Sequence, residues 1–270
     1  MSKRMTLVIG AMCSDGMLFC SDTEESTSMG GKRAVKKLFA TDTTSWCLVV
    51  GAAGFGPLCD IAAKRICDAA CAKAKTFAAD HEHIIENEIR RIYAQYIPSS
   101  LPDWKQQERQ IALVIGVIDK VKGQRHLYAT YEEIVQPIAK PFACVGAGQE
   151  LAYYFLDRVF QDLRMPMHTG IAPRIHEAER LLQFVMKEAK SAVGGVSGNT
   201  ETITIPNDSQ LGTSYGTFGA GWEGKQPNLQ DELNHFWLDN SAPMQPPPLR
   251  SKPLKRKSRG RNHVAQGVNE

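Results

Sequence analysis

The sequence predicts an α+β fold, a four-layer α-β-β-α sandwich of two antiparallel sheets. Three observations carry this. Four strand-length segments crowd into the first fifty residues, a spacing that suits antiparallel pairing. Helical stretches then come in two pairs, separated by blocks of strands rather than alternating with single strands. Near residue 200, Thr200-Glu201-Thr202-Ile203-Thr204-Ile205 alternates strictly, as a half-buried strand does.

Each element has a local reason. Met5–Cys13 and Asp15–Asp22 are two short apolar strands joined by a tight turn, and the second ends on an acid, Asp22. Glu24–Arg33 is polar and contains Met29-Gly30-Gly31, which predicts a loop. Val35–Ala40 is a short third strand, and Asp42-Thr43-Thr44 turns the chain into Trp46–Val50, a continuous apolar run of the kind covered on both faces. Gly51-Ala52-Ala53-Gly54-Phe55-Gly56 is expected to turn the chain into a long helix from Pro57 to about Ala79. Ile61, Ile66, Ala69 and Ala70 form its apolar stripe, and a second helix, His83–Tyr96, follows with Ile84, Ile85, Ile89 and Ile92 on one face. Pro98 and Pro102 break it.

Strands resume at Ile111–Asp119, His126–Tyr131 and Pro141–Gly146. A helix over Glu150–Gln161 and another over Ile175–Ala192 complete the second pair, the latter stopped by Gly194-Gly195. Residues 6–215 thus form one domain. Residues 216–270 are an extension whose end, with Pro246-Pro247-Pro248 and a basic run, is predicted to be disordered.

Charge separates these parts. From Ser241 onward seven basic residues face one acid, Glu270, so that segment carries +6 of a net +3 and the first 240 residues carry −3. The basic segment has no aromatics to stack bases, which argues against nucleic-acid recognition. The seven cysteines form no CxxC pair and no zinc-finger spacing, which fits reduced, buried thiols in an intracellular, cytoplasmic protein and argues against a metal. No apolar run reaches transmembrane length, and Met1–Arg4 does not read as a signal peptide.

Several stretches in this order resemble the proteasome β-type family of N-terminal-nucleophile hydrolases, which includes the simple bacterial ring protease partnered by an ATPase. They are Thr6-Leu7-Val8, Asp15–Asp22, Val35-Lys36-Lys37-Leu38, Gly51-Ala52-Ala53-Gly54, and Cys144–Gln149 with its helix through Asp157. The resemblance implies a threonine endopeptidase of intracellular protein degradation, with Thr6 as nucleophile after removal of Met5. It also implies Asp22 and Lys37 as supporting charges and the Gly54 backbone N–H as oxyanion donor. It implies self-assembly into rings, a peptide or unfolded-protein substrate, an ATPase unfoldase partner and no cofactor.

The chemistry explains these residue types. A threonine hydroxyl needs a base close by, and a free α-amino group on the same residue can serve. A neighbouring cation such as Lys37 lowers that amine's affinity for a proton. As written, Thr6 lies inside a peptide bond, so residues 1–5 form a leader whose removal decides whether the amine exists.

The sequence departs from the family where an acid is usual, at Lys190, and where hydroxyl residues are usual, at Val193 and Ala147. Those departures favour the alternative, a non-catalytic ring or scaffold subunit of the same fold. Read without the family, Thr6 is a strand residue, Asp22 a turn acid, Lys37 an edge charge and Gly54 a turn. Cys13 is the other nucleophile to weigh, with no histidine placed beside it by any motif.

Overall fold

The computed structural model of the chain describes residues 6–26, 31–162 and 172–207. The leader over residues 1–5 and the extension over 216–270 lie outside the described residues. The opening hairpin is β1 (Leu7–Cys13) and β2 (Gly16–Asp22), with Val8 opposite Ser21 and Ala11 opposite Leu18. Within the segment expected to be loop, β3 (Glu24–Ser26) and β4 (Lys32–Ala34) pair as a separate two-stranded ribbon. The ribbon lacks apolar alternation, so periodicity misses it. Its register sets Glu25 opposite Arg33, whose Nη2 lies 3.2 Å from Glu25 Oε2.

Next come β5 (Leu38–Asp42) and β6 (Trp46–Gly54). The glycine-alanine run expected to turn the chain therefore continues the strand. Its small residues are explained by the opposite sheet, since Val8 packs directly on Gly51. Helix α1 (Gly56–Ala72) ends before the expected Ala79, and α2 (Phe77–Tyr96) starts before the expected His83. Phe77 sets this break. Its ring is fully buried with its centroid 4.5 Å from that of Trp46, so the chain must turn at Lys73–Thr76 to deliver it. A short helix, α3 (Asp103–Glu108), is too brief and polar to show in the pattern.

Strands β7 (Ile111–Asp119) and β8 (Gln124–Tyr131) appear where expected, and β9 (Ile134–Pro137) is an extra, mostly exposed edge strand. Then follow β10 (Phe142–Gly146), α4 (Gln149–Asp162), α5 (Ile175–Ala192) and β11 (Thr200–Pro206).

One sheet has the order β10-β1-β2-β11 and the other β5-β6-β7-β8-β9, with every pairing antiparallel. Strand alternation then sorts side chains into three cores. Trp46, Leu48 and Val50 of β6 face α1 and α2, while Cys47 and Val49 face the other sheet. Leu7, Ile9, Leu18 and Cys20 face α4 and α5, whereas Val8, Met17 and Phe19 fill the space between the sheets. Helices therefore cover both outer sheet faces, and the four-layer sandwich is formed.

Phe19 is the inter-sheet key. A Cβ on Gly116 of β7 would lie 2.4 Å from Phe19 Cζ, and one on Gly10 of β1 would lie 2.7 Å from Phe19 Cε1. The two sheets close around this ring only because both positions lack a side chain.

Helix α5 is tied down at its N-terminus. Asp15 Oδ1, in the β1–β2 turn, accepts from Ile175 N at 2.8 Å, and Glu177 Oε2 accepts from Arg174 N at 2.8 Å. These caps fix where the helix begins relative to β2.

In the helical layer over the other sheet, His81 is buried on α2. Its Nδ1 lies 3.1 Å from Ala78 O, an acceptor, so Nδ1 carries the proton and Nε2 accepts from Tyr128 OH at 2.8 Å. Burial lowers its proton affinity, and His126 adds to that, against the opposing pull of Ala78 O, Glu82 and Asp119.

Two outcomes are expected. Gly116→Val forces a branched side chain onto the Phe19 ring and lowers unfolding stability by about 1–3 kcal/mol or more, read from the urea midpoint. His81 has a lower pKa folded than unfolded, so below about pH 6.5 the unfolded chain binds the extra proton and stability falls as pH drops. The urea midpoint should decrease between about pH 7.5 and about pH 5.5, and the decrease should shrink in His81→Gln.

Candidate active site

The site is built where four chain segments meet at one end of the sandwich. Thr6 immediately precedes β1, Asp22 ends β2, Lys37 lies between the ribbon and β5, and Ser197 follows α5. All three side chains singled out are withdrawn from solvent, Thr6 at 4% exposure, Asp22 at 0% and Lys37 at 8%.

Asp22 is the hub. Its Oδ1 accepts from Thr6 Oγ1 at 2.8 Å and from Leu7 N at 2.9 Å. Its Oδ2 faces Lys37 Nζ at 2.9 Å and accepts from Ser197 N at 3.3 Å. A carboxylate offers about four lone-pair sites, and here each oxygen has two donors.

Lys37 is equally committed. Its ammonium donates to Asp22, to Glu24 O at 2.7 Å and to Thr6 Oγ1. Burial lowers its proton affinity, while the Asp22 charge and hydrogen bond, with Glu25 and Cys59 further off, oppose that. Its own backbone is fixed too, since Lys37 O accepts from Ala52 N at 3.0 Å. Thr6 Oγ1 therefore receives one hydrogen bond from a cation and gives one to an anion.

Thr6 is held by backbone as well as side chain. Gly146, at φ +103°, lies so close that a Cβ there would sit 2.1 Å from Thr6 O, which only glycine allows. Gly54, at φ +120°, turns the end of β6 beside Gln110. Gly54, Thr6 and Lys37 line one small cleft open to solvent, together with Ala52, Ala53 and Phe39. The structure thus brings Thr6, Asp22, Lys37 and Gly54 into one place.

The positions that depart from the family pattern sit at the same end. Lys190 Nζ, in the last turn of α5, donates to Thr200 Oγ1 at 2.7 Å, and Thr200 is the register partner of Asp22. Burial lowers the proton affinity of Lys190 as well. Ala147 is exposed in the turn beside Gly146. Val193 caps α5 at its C-terminus.

Sequence reasoning misses the Leu7 and Ser197 backbone donors, Glu24 O, and the Lys190–Thr200 bond. Backbone donors leave no residue-type signal, whereas Thr200 is visible as the head of the alternating strand. Cys13 lies in the core under α4 and α5, where burial pushes its thiol up to about 12. That environment suits a core residue and disfavours the thiolate.

The described residues contain no helix long and apolar enough to cross a membrane. No curated protein sequence matches the chain significantly. Solved structures do match. The Anbu (Gly-1) mutant from Hyphomicrobium sp. strain MC1 superposes with a TM-score of 0.63 at 15% identity, covering 87% of this chain and 93% of that one. Anbu, described as an ancestral beta-subunit, from Yersinia bercovieri gives 0.58 at 14% identity over 78% and 84%. The helical assembly of the Anbu complex from Pseudomonas aeruginosa gives 0.61 at 14% identity over 91% and 100%. At these identities the likeness is one of fold. The family model described as proteasome subunit matches residues 3–194, most of the chain, and the chain therefore belongs to the proteasome subunit family.

Proposed function

We propose that this chain is a threonine-type endopeptidase subunit of a proteasome-like assembly, with Thr6 as its N-terminal nucleophile once Met5 is removed. The observation that carries this reading is the Thr6 hydroxyl held between Lys37 and Asp22 on the wall of an open cleft. The free Thr6 amine takes the hydroxyl proton as Oγ1 attacks a peptide carbonyl, and the Gly54 N–H receives the oxyanion. Collapse breaks the C–N bond, and the departing amine takes the proton from the Thr6 ammonium. Water, activated by the same amine, then cleaves the ester.

Lys37 and Asp22 hold the hydroxyl and set the charge around it. The helical assembly of the Anbu complex from Pseudomonas aeruginosa supports a homo-oligomer; on this reading the chain forms a ring in the cytoplasm and acts on peptides or unfolded proteins fed by an ATPase unfoldase. The second reading, a non-catalytic scaffold subunit, draws on Lys190, Val193 and Ala147.

Intact mass of the protein expressed from its native gene decides between them. A mass beginning at Thr6, with peptide hydrolysis that disappears in Thr6→Ala, is the expected result. A mass retaining Met5, with no acylation by a threonine-directed covalent inhibitor, selects the scaffold. In the mature protein Lys37→Met is expected to slow acylation by roughly a hundredfold or more, measured by single-turnover kinetics with that inhibitor.

A further inference from the structure

One half-buried cation beside this site, Lys190, has no part in the proposed chemistry. Lys190 sits on the last turn of α5, half-buried, and its position is set from the other end of the helix. Asp15 caps Ile175 at the start of β2, so helix and strand share an origin. From Ile175 to Lys190 the helix rises about 22 Å, and from Asp15 to Asp22 the extended chain covers about 23 Å. The matched lengths bring Lys190 level with Asp22. Leu18 and Cys20 face α5, and Asp22 continues that alternating row.

Lys190 does not bond Asp22, whose oxygens already hold four donors. It bonds instead to Thr200, the partner of Asp22 across β2–β11. Around Lys190 stand Asp22 and Cys20 of β2, Glu24 of β3, and Lys37. Around Lys37 stand Asp22, Glu25 and Cys59. Glu25 is paired with Arg33, and Asp22 is the carboxylate that stands around both lysines.

We propose that Lys190 is a positioning residue which, held by Thr200 beside the buried Asp22 carboxylate, adds a second cation to the Asp22–Lys37 pair and makes the ammonium groups around it, those of Lys37 and of mature Thr6, easier to deprotonate, lowering the pH at which the Thr6 amine is free to act as base. The electrostatic reason is simple. With Lys190 charged, Asp22 faces two cations, and a further proton anywhere near them is disfavoured. A neutral residue at position 190 removes that repulsion. The catalytic part of this proposal rests on the reading of Thr6 as nucleophile, whereas the effect on Lys37 does not.

The test titrates lysine side chains labelled with ¹³C at Cε by NMR in the wild-type chain, K190M, K190R and T200V, with K37R used to assign the Lys37 signal. In K190M the Lys37 midpoint is expected to rise by roughly half a pH unit or more. K190R is expected to keep it near wild type, and T200V, which frees Lys190, to raise it by a smaller amount. T200V also serves should K190M fold poorly. An unchanged Lys37 midpoint in K190M or, failing that variant, in T200V overturns the proposal, as does an equal rise in K190R. The acid limb of peptide hydrolysis by mature protein, set by the Thr6 amine, should move to higher pH in K190M, where one cation fewer stands near that amine. Absence of hydrolysis in every variant refutes the nucleophile reading and leaves the titration to judge Lys190.

Discussion

A single buried carboxylate with four donors organises this end of the molecule. Asp22 is fully removed from water, and an unpaired charge there would cost several kcal/mol. Its donors come from separate stretches of chain: Thr6 and Leu7 at the start, Lys37 after the ribbon, and Ser197 after the last helix. Satisfying Asp22 therefore requires the hairpin, the ribbon exit and the α5 exit to converge. Removing one partner of such a pair typically costs 3–5 kcal/mol, because the other charge stays buried. The convergence is a condition of folding before it is a condition of chemistry.

The sandwich makes that convergence geometrically possible. Phe19, three residues before Asp22, locks β2 against the opposite sheet through the space left by Gly10 and Gly116. On the other face of β2, Leu18 and Cys20 pack under α5. Strand β2 is thus gripped from both sides, and Asp22 at its end inherits a fixed position. Gly146 then lets β10 approach Thr6 O closely enough to hold the residue beside it.

Much of this was legible in the residues, and the exceptions have physical causes. Strands with a periodic face, such as Thr200–Ile205, declare themselves, as do helices with a broad apolar stripe such as Ile175–Ala192. The β3–β4 ribbon is invisible because its pairing is backbone register between polar residues. The α1–α2 break is misplaced because the deciding event, Phe77 meeting Trp46, joins residues far apart in sequence. Thr6, Asp22, Lys37 and Gly54 read as ordinary residues one at a time, and only the family's order and spacing single them out. Nothing in that pattern marks Ser197, whose contribution is a backbone N–H.

The hydrogen-bond count also constrains what could activate Thr6. Lys37 as an ammonium spends its three N–H groups on Thr6, Asp22 and Glu24 O and has no lone pair to offer. Were Asp22 to take the Thr6 proton, Lys37 would become a buried cation without a counter-charge, and the Leu7 and Ser197 donors would face a neutral acid. Both outcomes work against the network that holds the site together. A base for the hydroxyl must then come from outside that network yet within reach of Oγ1, and the nitrogen of Thr6 itself meets both conditions. In a peptide bond that nitrogen has no basic lone pair; as a free amine it does. On the proposed reading the chemistry of Thr6 depends on its own backbone nitrogen, while the fold around Asp22 needs only its hydroxyl.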